Sequence, residues 1–356
     1  RDLHSFPTRR SSDLTVTNFS LECGETLPAV SIYYQVLGDI QQHPDRVVWI
    51  CHALTANADP SEWWPEVVGE GKLFDPIATP IVCANVVGSC YGSTGPMSLN
   101  PATGKPYMLQ FPLVTVRDMV RAHELLRQHL GIKTIDVLVG GSIGGFQSLE
   151  WECTNPGTAN HLVLIACSAK ASPWVVAFNQ SQRLALKADP TFARQEEGGG
   201  KNGLKAARSI ALLSYRGSKA YNLSQQESRS EILTGFRAES YQDYQGEKLV
   251  NRFDAYTYHT LTRAIDSHNV GRGRGCLQSV LAKVKAKTLV VGIDNDILFP
   301  LEDQHELAAH IPQAQFVEIH SNFGHDGFLL EWQQLENAIK PFIEKTYKPV
   351  TSALSK

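Results

Sequence analysis

The sequence predicts an α/β protein, a mostly parallel doubly wound sheet interrupted by an inserted helical cap. Three observations carry that prediction. Short β-branched apolar runs recur in both halves of the chain, helical patterns separate several of them, and residues 170–276 contain helical segments but no buried-strand run. A sheet that stops and later resumes still needs its last strands beside their neighbours, so the intervening segment lies over it as a cap.

At the start of the chain, residues 1–14 (RDLHSFPTRRSSDL) are polar and basic and share no periodicity with the strand runs after them. They are read as a non-native adapter segment outside the fold; Arg9-Arg10 is not succeeded by the apolar stretch of an export signal. Strand runs stand at 46–51 (RVVWIC), 81–87 (IVCANVV), 135–139 (IDVLV), 162–167 (LVLIAC), 288–292 (TLVVG) and 315–319 (QFVEI). In TVRDMVRAHELLRQHLG, apolar residues keep a period near 3.6, Thr115 can cap the start with Asp118 three residues on, and Gly131 ends the helix. A second helix is expected at 146–153, and cap helices at 174–189 and 203–215 with a loop, EEGGGKNG, between them. The expected division is core at 15–169, cap at 170–276, core again at 277–345, and a disordered tail at 346–356.

With 33 basic and 36 acidic residues intermixed over 356 positions, the net charge of −3 shows no footprint for nucleic acid or an anionic membrane. No apolar run is long enough to span a bilayer. Seven scattered cysteines without a C-x-x-C pair point to reduced, mostly buried thiols and a cytoplasmic location. Small-molecule chemistry is what remains.

The stretch VLVGGSIGGFQSLEW (137–151) sets four glycines around one serine between a strand and a helix. A P-loop would need a lysine after the last glycine, where Phe146 stands, and the dinucleotide fingerprint needs different spacing. G-x-S-x-G fits: Ser142 on a sharp strand-to-helix turn, with glycines where side chains would collide. A serine nucleophile requires a base and an orienting acid, in this topology in the order Ser, Asp, His. IDNDILFP follows the 288–292 strand and HSNFGHDGF follows the 315–319 strand, offering Asp294 or Asp296 and His320 or His325. An oxyanion needs two backbone donors. Ile143 N–H, just after the serine, is one, and Leu54 N–H in the CHALTAN loop (51–57) is the candidate for the other. His52 lacks a partner at ligand spacing, so no metal is expected.

The elbow, the CHALT loop, DNDILFP and GHDGF in this order, with GSCYGSTGP (88–96), VTVRDMVRAHELL (114–126) and RFDAYTYHTLTRAIDSHNVGRGRG (252–275), make the chain resemble the homoserine O-acetyltransferase family of the α/β-hydrolase fold. The resemblance runs over residues 31–342. It implies a nucleophile at Ser142, an acid at Asp296, a base at His325, an arginine for the amino-acid carboxylate at Arg183 and a carboxylate for its ammonium at Asp326. It also implies acetyl transfer from acetyl-CoA to L-homoserine through an acyl-serine, in methionine biosynthesis, with no bound cofactor and a homodimer formed through cap helices. Transfer to L-serine, a succinyl-CoA donor, or ester or thioester hydrolysis are the alternatives. Two positions depart from the family: Ile143 replaces methionine, where only the backbone is used, and Ala56 replaces glycine beside the oxyanion loop. The GRGRG run (271–275) is read as a mobile connection back to the core.

Overall fold

The structure, a computed structural model, describes residues 9–344. Eight strands form one sheet: β1 (Arg9–Ser20), β2 (Thr26–Leu37), β3 (Val48–Cys51), β4 (Ile81–Ala84), β5 (Ile135–Gly141), β6 (Ala159–Ile165), β7 (Lys287–Ile293) and β8 (Gln315–Ile319). Their spatial order is β1-β2-β4-β3-β5-β6-β7-β8. From β4 to β8 every neighbour is parallel, while β2 runs antiparallel to both β1 and β4. Strands β3, β4 and β5 are buried at every position, which is why they read as unbroken apolar runs. Two apolar clusters, one on each face, complete the core.

The reading of residues 1–14 as lying outside the fold is corrected for 9–14. These residues form the first half of β1, in register from Arg9 opposite Leu37 to Leu14 opposite Ile32. Pairing uses backbone N–H and C=O groups, so the free edge of a twelve-residue β2 accepts a partner strand of almost any composition. Residues 1–8, and the tail expected to be disordered at 346–356, lie outside the described residues.

Helix α1 (Val116–His129) opens with the expected capping box, Thr115 and Asp118 each serving the other's backbone N–H. Helix α2 (Ile143–Thr154) begins directly after Ser142. The cap is built from α3 (Pro173–Ala188), α4 (Lys201–Tyr215), α5 (Arg237–Val250) and α6 (Ala255–Asp266). Its two ends are stitched together below the helices, where Ala171 N–H donates to His268 O at 2.9 Å and Val270 N–H to Ala169 O at 3.1 Å.

The GRGRG segment is held by ion pairs, contrary to the reading of it as mobile. Arg272 Nη2 lies 2.7 Å from Glu22 and Arg274 Nη2 lies 2.7 Å from Glu150, while Arg117 bridges the same two acids. Glu150 is 2% exposed, and a carboxylate so far from water requires charged partners.

Candidate active site

Strand β5 enters α2 through Ser142, whose φ of 59° and ψ of −127° place it in a conformation that L-residues avoid. Such a turn lifts the side chain off the sheet, and it closes because residues 140, 141, 144 and 145 carry no Cβ. A Cβ on Gly140 would stand 2.2 Å from the Gly144 carbonyl, and one on Gly144 would stand 2.2 Å from the Cys51 carbonyl. Glycines 141 and 145 make room in the same way for Phe328 and Cys167.

The two acid and two histidine candidates sort themselves into separate pairs. Asp294 contacts His320 at the surface, where the His320 side chain is 66% exposed. Asp296 and His325 meet below it: Asp296 Oδ2 lies 2.7 Å from His325 Nδ1, with both residues buried. Asp296 is held in place by Leu298 and Phe299, whose N–H groups donate to its Oδ1 at 2.8 and 2.9 Å. Since Nδ1 faces a carboxylate, Nε2 carries the lone pair, and Nε2 has no hydrogen-bond partner among the described residues. Burial pushes the His325 pKa down, but the Asp296 charge and its hydrogen bond outweigh it and hold the pKa above the ordinary value of 6.5.

Ser142, Ile143 and Leu54 line one narrow cavity with Phe146, Phe299 and Tyr215. Tyr215 and Phe299 also pack against the His325 ring, at centroid distances of 5.8 and 5.3 Å, so serine and base share one apolar enclosure. Ile143 is the first residue of α2, so its N–H has no acceptor within the helix and is available to the cavity. The loop carrying Leu54 is tied to the same helix by Gln147 Nε2, which donates to His52 O at 3.1 Å. His52 is a structural residue: Nδ1 engages Ala53 O at 2.8 Å and Nε2 accepts from Val86 N–H at 3.2 Å. Burial lowers its pKa to about 4, which keeps it neutral. Ala56 is not at positive φ, so the family's glycine is not required there.

Arg183, to which the resemblance assigns the substrate carboxylate, does not line the Ser142 cavity. Helix α3 presents Val175, Asn179 and Gln182 to the Ser142 cavity. Arg183, a further 100° around the helix, lies 2.5 Å from Asp266 and lines a separate outer groove. The arginine beside the base is Arg216, whose Nε lies 2.8 Å from Asp326 Oδ2 as an ion pair not aligned for a hydrogen bond. Sequence reasoning missed Arg216 because it comes after the end of α4 in the unremarkable string SYRG. A weak signal was available in Gly217, where a Cβ would stand 2.2 Å from Asn322 O, pressing the loop against the base-bearing segment. Gln182 was missed as well; it accepts from the buried Tyr258 hydroxyl at 2.7 Å and borders the cavity.

A strained serine between strand and helix, with a buried His-Asp pair delivered by two later strands, is the layout of a serine-nucleophile enzyme on an α/β-hydrolase sheet. The alpha/beta hydrolase fold family model matches residues 46–331. A homoserine O-acetyltransferase of Cyclobacterium marinum is 44% identical over 91% of this chain and 92% of its own length. The solved homoserine O-acetyltransferase of Staphylococcus aureus is 29% identical with a TM-score of 0.79, covering 97% of each chain. Esterase E22 superposes with a TM-score of 0.86 at 22% identity, covering 95% of this chain and 100% of its own, which is a likeness of fold alone. The chain belongs to the homoserine O-acetyltransferase family. No helix of the described residues is long and apolar enough to cross a membrane.

Proposed function

We propose that the protein transfers an acetyl group from acetyl-CoA to the hydroxyl of L-homoserine through an acyl-Ser142 intermediate, a step of methionine biosynthesis. The observation that carries the reading is the buried Asp296–His325 pair enclosed with the strained Ser142, in a chain 44% identical to a homoserine O-acetyltransferase.

His325 Nε2 takes the Ser142 proton as Oγ attacks the thioester carbonyl. The N–H groups of Ile143 and Leu54 hold the oxyanion, the C–S bond breaks, and His325 protonates the departing thiolate. The homoserine hydroxyl then attacks the acyl-serine, giving its proton to His325, which returns one to Ser142 Oγ as the ester leaves. Asp296 orients the ring and stabilises the imidazolium at each stage. The Arg216–Asp326 pair at the mouth suits a zwitterion, guanidinium toward carboxylate and carboxylate toward ammonium, and it replaces Arg183 in the carboxylate role. The narrowness of the cavity under the cap limits water during the acyl-enzyme interval. No resident cofactor enters the scheme. A homodimer through the cap and a cytoplasmic location belong to the same reading; exposed Leu213 and Leu223 on the cap are suited to such a contact.

Hydrolysis is the second reading, because water can take the place of the acceptor hydroxyl at the same triad. One experiment separates them: acetyl-CoA and succinyl-CoA are each offered with homoserine, serine or no acceptor, and Ser142 is examined for acyl mass. Transferase chemistry predicts that homoserine accelerates acetyl-CoA consumption and that Ser142→Ala abolishes both turnover and labelling. Thioester loss unaffected by any acceptor would establish a hydrolase instead.

A further inference from the structure

We infer that the outer groove of the cap, between α3 and α6, binds a phosphate dianion, free or as the head of a monoester, through Arg183, Lys187 and Arg263. The groove is separate from the Ser142 chemistry. Asn179 and Gln182 of α3 and Ile265 of α6 line the Ser142 cavity, whereas Gln180, Arg183 and Lys187 of α3 and His259, Arg263 and Asp266 of α6 line the groove. Within each set the residues stand three and four positions apart, which puts them on one stripe of their helix. The two helices pack together, so the stripes face each other, and Leu113 adds an apolar contact. The groove encloses about 560 Å³, enough for a small metabolite.

Its charges do not cancel. Asp266 is fully engaged: one oxygen meets Arg183 Nη2 at 2.5 Å and the other accepts from Asn179 Nδ2 at 2.8 Å. Arg183 is only 7% exposed, and its Nε donates to Gln180 Oε1 at 3.2 Å, yet its Nη1 has no hydrogen-bond partner among the described residues. A buried guanidinium nitrogen left bare costs free energy that an acceptor arriving from outside would recover. Lys187 and Arg263, both exposed, have no carboxylate within ion-pair distance among the described residues. The three cations converge on His259, whose pKa is lowered to about 4 by burial first and then by Arg263, Arg183 and Lys187. That histidine stays neutral, and after Asp266 is subtracted the groove keeps two positive charges. A monocarboxylate would neutralise one of them. A phosphate group carries nearly two negative charges at neutral pH and several acceptor oxygens for the arginine and lysine donors. Because α3 and α6 also wall the Ser142 cavity, an anion bridging them fastens the cap helices that carry Asn179, Gln182 and Ile265.

The test is calorimetric titration with inorganic phosphate and with glycerol 3-phosphate, each compared with sodium chloride at matched ionic strength, on the native protein, Lys187→Gln, and the Lys187→Gln/Arg263→Gln double variant. Thermal unfolding without ligand reports that each variant is folded. Both phosphates are expected to bind the native protein and raise its Tm, the tighter of the two identifying the free ion or the ester as the preferred source. Affinity should fall about tenfold in the double variant and by less in Lys187→Gln, and chloride should not reproduce the Tm shift. Equal phosphate binding by the native protein and the double variant, a native protein that binds neither phosphate, or a chloride effect of the same size would overturn the assignment. None of these outcomes depends on whether the protein transfers acetyl groups.

Discussion

His325 is set between two opposing influences. Its burial disfavours the imidazolium, and the Asp296 carboxylate 2.7 Å away favours it more, so the ring titrates above 6.5. A base acts only when neutral, so kcat/KM should rise with pH along an acid limb whose midpoint lies above 6.5. In Asp296→Asn the main opposing charge is gone and burial meets only the weaker pull of Asp326, so the midpoint moves to lower pH while kcat drops by about 10⁴-fold. A pH–rate profile of native and variant enzymes checks both; a limb that does not move would remove Asp296 from its role. Choosing this acid and base was beyond a local reading. Asp294 and Asp296 are two residues apart, His320 and His325 five, and all four come after strand ends. What separates the pairs is that one lies at the surface and the other beneath Phe299 and Tyr215, the latter remote in sequence from both acid and base.

At the scale of elements, the elbow was readable because its constraint is local. The three atoms nearest a Cβ at Gly140 belong to residues 144 and 145, within the same motif. Gly144 is different, since its neighbour is the Cys51 carbonyl at the end of β3. Gly144→Ala should therefore push α2 away from the CHALT loop, lowering stability by about 1–3 kcal/mol and reducing kcat through the displaced Leu54 N–H. Denaturant unfolding and initial rates measure the two effects, and an unchanged unfolding midpoint would count against the packing argument. Helix α3 shows the opposite case. Its existence was legible as the helix expected at 174–189, yet which side faces the Ser142 cavity was not. A rotation of one residue separates Gln182, facing the Ser142 cavity, from Arg183, facing Asp266, and the packing of α4 and α6 against α3 chooses between them.

Across the whole molecule, a network of two acids and three arginines joins the start of the chain, α1, α2 and the segment returning from the cap. Arg274→Ala leaves the buried Glu150 with Arg117 and the Thr154 hydroxyl, and the loss of a charge-assisted hydrogen bond at 2.7 Å should cost about 1–3 kcal/mol. Thermal unfolding reads this loss; a Tm equal to that of the native protein would show the clasp to be energetically idle. The alternation of buried apolar runs with helical periods and the elbow glycines were determined by the sequence alone because each depends on residues close together in the chain, and the order of serine, acid and histidine because order is a property of the chain itself. The β1–β2 edge, the anchoring of the GRGRG run, the burial of the Asp296–His325 pair and the placement of Arg183 outside the Ser142 cavity were decided only by the tertiary structure. Burial and charge pairing are set by neighbours brought together from distant parts of the chain, and no local pattern encodes which residue a side chain will meet there.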